Sequence, residues 1–146
     1  MRLPFLDEGL KNGPLRCLDD VRQHSLPRKR GVYVLLARPG VTFMYPRRRS
    51  TVFYIGRAGN LRRRLYTHAR FVKEARNNRK RMLYWPMYEY AAALGCRYCV
   101  LHPRGRQSES TLETNLLAMF AEHYRSWPIA NGVGGWASLL KPSAPK

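Results

Sequence analysis

The stretch Val52 to Phe71, VFYIGRAGNLRRRLYTHARF, constrains the chain more than any other. It opens as a buried strand, turns on Gly56 and Gly59, and offers Asn60 as the cap of a helix. Leu61, Leu65, His68 or Ala69, Val72 and Ala75 then recur on one face, which predicts a helix from Leu61 to about Asn77 that fades at RNNRKR. Arg62, Arg63 and Arg64 fall in its first turn, the end where the helix macrodipole disfavours positive charge.

On a helical wheel with Leu61 at zero, Arg62 and Arg63 fall at about 100° and 200°, outside the apolar stripe. Arg64 falls near 300° and His68 near 340°, roughly one turn apart on a flank of the buried face. Two readings of Arg64 stand side by side: a guanidinium snorkelling over the core edge, or a planar donor aimed at a phosphate.

The excess of positive charge extends over the whole chain. The 146 residues hold 27 Lys+Arg against 9 Asp+Glu, a formal charge of +18. Such a surface repels itself unless a polyanion partners it. No apolar run approaches the roughly 20 residues of a membrane span. MRLPFLDEGLKNG loses its apolar character at Asp7, Glu8 and Gly9, unlike a signal peptide. A cytoplasmic, nucleic-acid-facing protein with no membrane partner is the expectation. Cys17, Cys96 and Cys99 make an odd count, which argues against a disulfide framework.

The length suits one domain. We expect a core over residues 31–131, an N-terminal extension over 1–30 and a flexible tail over 138–146. Leu15, Leu18 and Val21 or Arg22 suggest a short amphipathic helix stopped by Pro27. RGVYVLLAR and TVFYIG read as two strands of a β-hairpin whose long tip carries PRRRS. MLYWPMYEYAAALG, interrupted by Pro86, reads as a bent or two-part helix, and RYCVLHP as a third strand. The last element is a helix in SESTLETNLLAMFAEHY, capped by Ser108 or Ser110.

Acids are scarce, so a divalent-metal site has few carboxylates to draw on. Glu113 lies on the apolar side of the last helix, between Phe120 and Leu117, where a carboxylate needs a partner, a metal or a raised pKa. Alternatively, STLE forms a capping box in which Glu113 bonds back to the Ser110 amide. Tyr33 and Tyr54 lie in the two hairpin strands, where tyrosine also serves simple packing. Cys96, Cys99 and His102 have metal-like spacing, but they lack a fourth ligand and a strand divides them between two faces. Arg47, Arg48 and Arg49 in the tip, and Arg79, Lys80 and Arg81 after the first helix, suit sequence-independent phosphate contact. Arg57, Arg62 and Arg63 join them as candidate nucleic-acid contacts.

Taken together, GVY (Gly31 to Tyr33), YIG (Tyr54 to Gly56), Arg64, His68, Glu113 in LETNLL and Asn131 in PIANG resemble the GIY-YIG nuclease family in order and type. The resemblance runs from about Gly31 to Asn131. It implies an α+β fold with a small three-stranded antiparallel sheet flanked by helices. It also implies an endonuclease that hydrolyses DNA phosphodiester bonds with one divalent metal. Glu113 would bind Mg²⁺ or Mn²⁺, Tyr33 would be general base or orienter of the attacking water, Tyr54 a second hydroxyl at the phosphate, and Arg64 the stabiliser of transition-state charge. His68 would relay a proton or position Tyr33, while Gly31, Gly56 and Asn131 would support the geometry.

The tip carrying PRRR and the segment Asn77 to Leu94 are additions to the family pattern. A basic cleft attracts RNA as well as DNA. A non-catalytic binding module on the same fold is one rival reading, and a toxin-like or mobile-element nuclease masked by an acidic partner is another. With no second DNA-binding domain apparent, specificity would come from the loops, a homodimer or a partner subunit.

Overall fold

The computed structural model describes Leu3, Phe5 and residues 13–77 and 86–131. The expected tail at 138–146, residues 82–85 of the expected bent or two-part helix and the candidate contacts Arg79, Lys80 and Arg81 lie outside those residues.

Along the chain, β1 (Arg16–Cys17) leads into a 3₁₀ helix, Leu18–Gln23. β2 (Gly31–Leu36), β3 (Phe43–Met44), β4 (Arg49–Ser50) and β5 (Val52–Ala58) follow. Then come α1 (Leu61–Asn77), α2 (Pro86–Leu94), β6 (Arg97–Leu101) and α3 (Glu109–Tyr124), and a 3₁₀ turn at Ile129–Asn131. The fold is α+β, with a four-stranded antiparallel sheet ordered β1-β6-β2-β5 and a two-stranded one made of β3 and β4.

The sheet has four strands where three were expected, because Arg16 and Cys17 pair with Tyr98 and Arg97. The sheet thereby claims part of the segment expected as a short amphipathic helix. Only Leu18–Gln23 coils, as a 3₁₀ turn in which Leu18 and Val21, three residues apart, are both buried.

Every residue of β2 is buried, because helices cover both faces of the sheet. Tyr33 and Leu35 enter a core with Leu61, Leu65 and Val72 of α1 and Met87 and Ala91 of α2. Val32, Val34 and Leu36 face a second core with Leu112, Leu116 and Phe120 of α3. A strand buried on both sides reads as the continuous apolar run GVYVLL, with no alternation.

The hairpin tip is firmly rooted. Tyr45 N–H donates to the Arg48 carbonyl at 3.1 Å, closing the turn that holds Pro46 and Arg47. The buried Tyr45 hydroxyl donates to the Val52 carbonyl at 2.6 Å and accepts from Ile129 N–H at 3.1 Å. Its ring packs edge-on to Phe120, with centroids 5.1 Å apart. Tyr45→Phe keeps the ring and leaves both backbone groups without their partner, so it should lower unfolding free energy by about 1–3 kcal/mol. Urea denaturation monitored by circular dichroism measures that loss, and an unchanged midpoint would show that the hydroxyl does not secure the tip.

Candidate active site

The site begins with strand register. Tyr33 of β2 lies opposite Gly56 of β5, and Leu35 lies opposite Tyr54. Side chains alternate along a strand, so Tyr33 and Tyr54 share the face that α1 covers, on a diagonal, with ring centroids 6.0 Å apart. Gly56 is required by that arrangement. A Cβ there would lie 2.5 Å from the Tyr33 hydroxyl oxygen and 2.6 Å from the Tyr54 ring. The close approach that the glycine permits is therefore to the tyrosine rings. Gly31 has a comparable packing role, since a Cβ would meet Leu61 at 2.6 Å and the Leu101 carbonyl at 2.7 Å.

α1 starts where the sequence places it. The Asn60 side chain accepts from Arg63 N–H at 3.1 Å, and Leu61 N–H donates to the Lys29 carbonyl at 2.9 Å. Leu61, Leu65, His68, Val72 and Ala75 are its buried residues, which puts His68 against the sheet. His68 Nε2 lies 2.6 Å from the Tyr33 hydroxyl, and its Nδ1 lies 2.9 Å from the hydroxyl of Tyr88 on α2. Tyr33, His68 and Tyr88 are all buried.

Burial, reinforced by Arg64, pulls the His68 pKa from 6.5 down to about 3. The ring is neutral at ordinary pH, with one nitrogen donating and one accepting, so the two tyrosine hydroxyls bond it in opposite senses. Burial, with a further push from Tyr54, raises the Tyr33 pKa far above the usual tyrosine range, and Arg64 offsets only part of this. Tyr54 is raised as well, first by burial and then by the Glu113 charge, against the Tyr33 hydroxyl and Arg64, which lower it.

The three arginines take three different positions. Arg62 is half-buried, and its Nε donates to the Leu26 carbonyl at 2.7 Å, tying the preceding loop to α1. That donor is already engaged within the fold. Arg63 and Arg64 are exposed and, with Ala58, Gly59, Asn60 and Thr67, line an open cavity of about 480 Å³ at the start of α1. Tyr33 and Tyr54 do not line it, but Arg64 acts electrostatically on both, as well as on Tyr88 and His68. The Arg64 guanidinium is exposed at the start of α1, which is compatible with both readings of it.

Glu113 comes from the opposite face of the sheet. The N-cap of α3 is Ser108, whose hydroxyl accepts from Thr111 N–H at 3.0 Å. Ser110 therefore lies inside the helix, and the Ser110–Glu113 capping box does not form. The Glu113 carboxylate lies 3.8 Å from Arg57 Nη1, which also donates to the Ser110 hydroxyl at 2.5 Å. Burial raises the Glu113 pKa and Arg57 opposes the rise. The carboxylate is about one-fifth exposed, so it stays open to an oxygen-seeking cation.

Asn131 secures β5, the strand that carries Tyr54. β5 is an edge strand, and the Asn131 side chain accepts from Ile55 N–H at 3.0 Å and donates to the Ile55 carbonyl at 2.8 Å. One side-chain amide thus stands in for a missing strand. Arg47, Arg48 and Arg49 are exposed at the hairpin tip, near the far end of α3. Cys96 and Cys99 fall into different cores, His102 is exposed, and no metal-holding group of three or more His, Cys, Asp or Glu occurs among the described residues.

Sequence reasoning missed Tyr88 and the Arg57–Glu113 pair. Tyr88 was obscured because its helix begins at Pro86 in an aromatic-rich stretch. Arg57 directly follows YIG, and strand alternation alone would have set it on the face opposite Tyr54.

The depressed His68 pKa makes stability depend on pH. The unfolded chain takes up a proton near 6.5 and the folded one only near 3, so the stabilisation is complete above 6.5 and is lost progressively as pH falls toward about 3. His68→Asn should flatten that part of the profile of urea midpoint against pH. An equal acid slope in both proteins would show that His68 is not held neutral. Comparison of the chain with known protein families, with curated proteins and with solved structures finds no match in any of the three, so the functional reading rests on this geometry and on the motifs.

Proposed function

We propose that the chain is a metal-dependent endonuclease of the GIY-YIG type, hydrolysing DNA phosphodiester bonds at a single-metal site. The observation that carries this reading is the convergence of Tyr33, Tyr54, His68 and Arg64 from two strands and one helix, with Glu113 brought within electrostatic reach of Tyr54 from another helix. Fold, motif order and a charge of +18 agree with it.

Glu113 is the residue that would hold Mg²⁺ or Mn²⁺. One carboxylate is a chemically sufficient protein ligand for an ion that keeps most of its waters. When bound, the ion supplies Lewis-acid polarisation of the phosphate and stabilises the leaving oxygen.

The protein groups divide the remaining work. Arg64 offers an exposed guanidinium for the charge that grows on the phosphoryl oxygens. Tyr54, half-buried beside it, donates a hydroxyl to the same phosphate. Burial keeps Tyr33 protonated, so it has no free site for a proton taken from water, and it makes His68 too weak a base to keep one. Of the two roles open to Tyr33, orienting the attacking water is favoured over acting as a phenolate base, with His68 and Tyr88 fixing the direction of its hydroxyl.

Purified protein incubated with supercoiled plasmid, single-stranded DNA and branched DNA should cut at least one substrate with Mg²⁺ or Mn²⁺ and none with EDTA. Glu113→Ala should abolish cutting, and Tyr33→Phe should slow it by about 10²-fold or more. Cleavage that persists in EDTA or in Glu113→Ala would overturn the single-metal reading. Wild-type rates in Tyr33→Phe would remove Tyr33 from the chemistry.

A further inference from the structure

A second cationic cluster lies away from the candidate active site, where the hairpin tip meets the end of α3. Arg47 N–H donates to the Tyr124 carbonyl at 3.4 Å, and Arg48 Nη1 donates to His123 Nε2 at 3.1 Å. Arg49 is exposed in β4, and exposed Arg125 closes α3 in a left-handed conformation, with φ 60°. None of the ion pairs among the described residues engages these arginines. Glu122, the carboxylate nearest in sequence, is exposed about 100° around α3 from His123.

The negative end of the α3 macrodipole offsets part of the repulsion among these cations. It does not neutralise them, and Arg48 spends a donor on a neutral imidazole. Burial lowers the His123 pKa, and the neighbouring Arg48 and Arg47 lower it further. Cations held on a rooted turn and left without carboxylates are suited to an external row of anions.

Position determines which anions. Glu113 and His123 are ten residues apart on α3, about 15 Å along its axis and about 80° around it. At about 3.4 Å per base pair, that separation is roughly four to five base pairs, near half a turn of duplex. We infer that Arg47, Arg48 and Arg49 with His123 and Arg125 form a second backbone-binding site for the nucleic-acid duplex, gripping its phosphates about half a helical turn from the bond held at Glu113. The inference rests on the nuclease reading for the position of that bond. The phosphate grip itself is independent of catalysis.

The test is binding of a fluorescein-labelled 20-base-pair duplex, followed by anisotropy in EDTA over a series of salt concentrations, with plasmid cleavage measured separately. Arg47→Ala/Arg48→Ala should weaken binding about tenfold and make the slope of log affinity against log salt shallower by about two. Arg47→Lys/Arg48→Lys keeps the charge and should keep the slope. Hydroxyl-radical footprinting of the bound duplex should show backbone protection four to five base pairs from the cleavage position that the alanine pair loses. Wild-type affinity and slope in the alanine pair, or no salt-dependent duplex binding by the wild-type chain, would overturn the second site. A slope that falls as expected in a protein that cuts nothing would count against the nuclease reading and leave the phosphate grip standing.

Discussion

The hydrogen bond between Tyr33 and His68, 2.6 Å long and closed off between sheet and helix, is the contact on which the candidate site depends. It exists only if β2 and β5 pair in the register that sets Tyr33 opposite Gly56, because any side chain at 56 would occupy the volume of the tyrosine hydroxyl. It also requires α1 to start at Leu61, so that His68 falls on the buried stripe with Leu65 and Val72. A neutral buried imidazole needs a partner at each nitrogen, and Tyr88 on α2 provides the second. Tyr33, Gly56 and the histidine two turns into α1 are thus one steric and polar unit. Changing any member leaves a buried polar group unpaired or a clash unresolved.

That unit is stiffened from outside the core. β5 carries Tyr54 and Gly56 but lies at the sheet edge, where the backbone of Ile55 would otherwise face solvent on one side. Asn131 takes up both of its hydrogen-bonding groups, and two residues earlier Ile129 N–H bonds Tyr45 in the root of the hairpin tip. The turn after α3 therefore links the tyrosine strand to the basic tip. A side-chain amide suits this place, since it offers donor and acceptor at the spacing of a backbone peptide without extending an edge on which another chain could add.

Much of this was legible because it follows from periodicity. The bounds of α1, its buried residues, the pairing of the two long strands and the choice of Ser108 or Ser110 as a cap all come from spacing and capping chemistry. The misreadings share a cause: local signals that tertiary contacts overrode. Leu15, Leu18 and Val21 have helical spacing, but the free edge of β6 draws Arg16 and Cys17 into the sheet. Ser110 and Glu113 have the spacing of a capping box, but Ser108 caps first, and Glu113 turns toward Arg57. Nothing in the sequence marks the Leu26 carbonyl as the acceptor for Arg62 Nε. Tyr88 carries no motif, and its importance appears only when α2 docks beside α1.

The charge at the start of α1 now has a physical account. Arg62 is engaged by a carbonyl, so it acts as a fastener between loop and helix. Arg63 and Arg64 remain exposed around the cavity, against a helix dipole that disfavours them and with no acid in the first turn of α1. That placement is unfavourable in the free protein, and the same field lowers the His68 pKa and opposes the rise in Tyr33. A phosphate arriving at the mouth would meet two guanidiniums and the positive end of a helix together, and each unfavourable term would become an attractive one. The α3 C-terminus, by contrast, favours cations, and it offsets part of the repulsion among the hairpin arginines that collect there. The two basic regions differ in kind: one lies against the positive end of a helix, the other at a negative end that partly offsets its charge. The proposed chemistry is assigned to the first and the proposed backbone contact to the second.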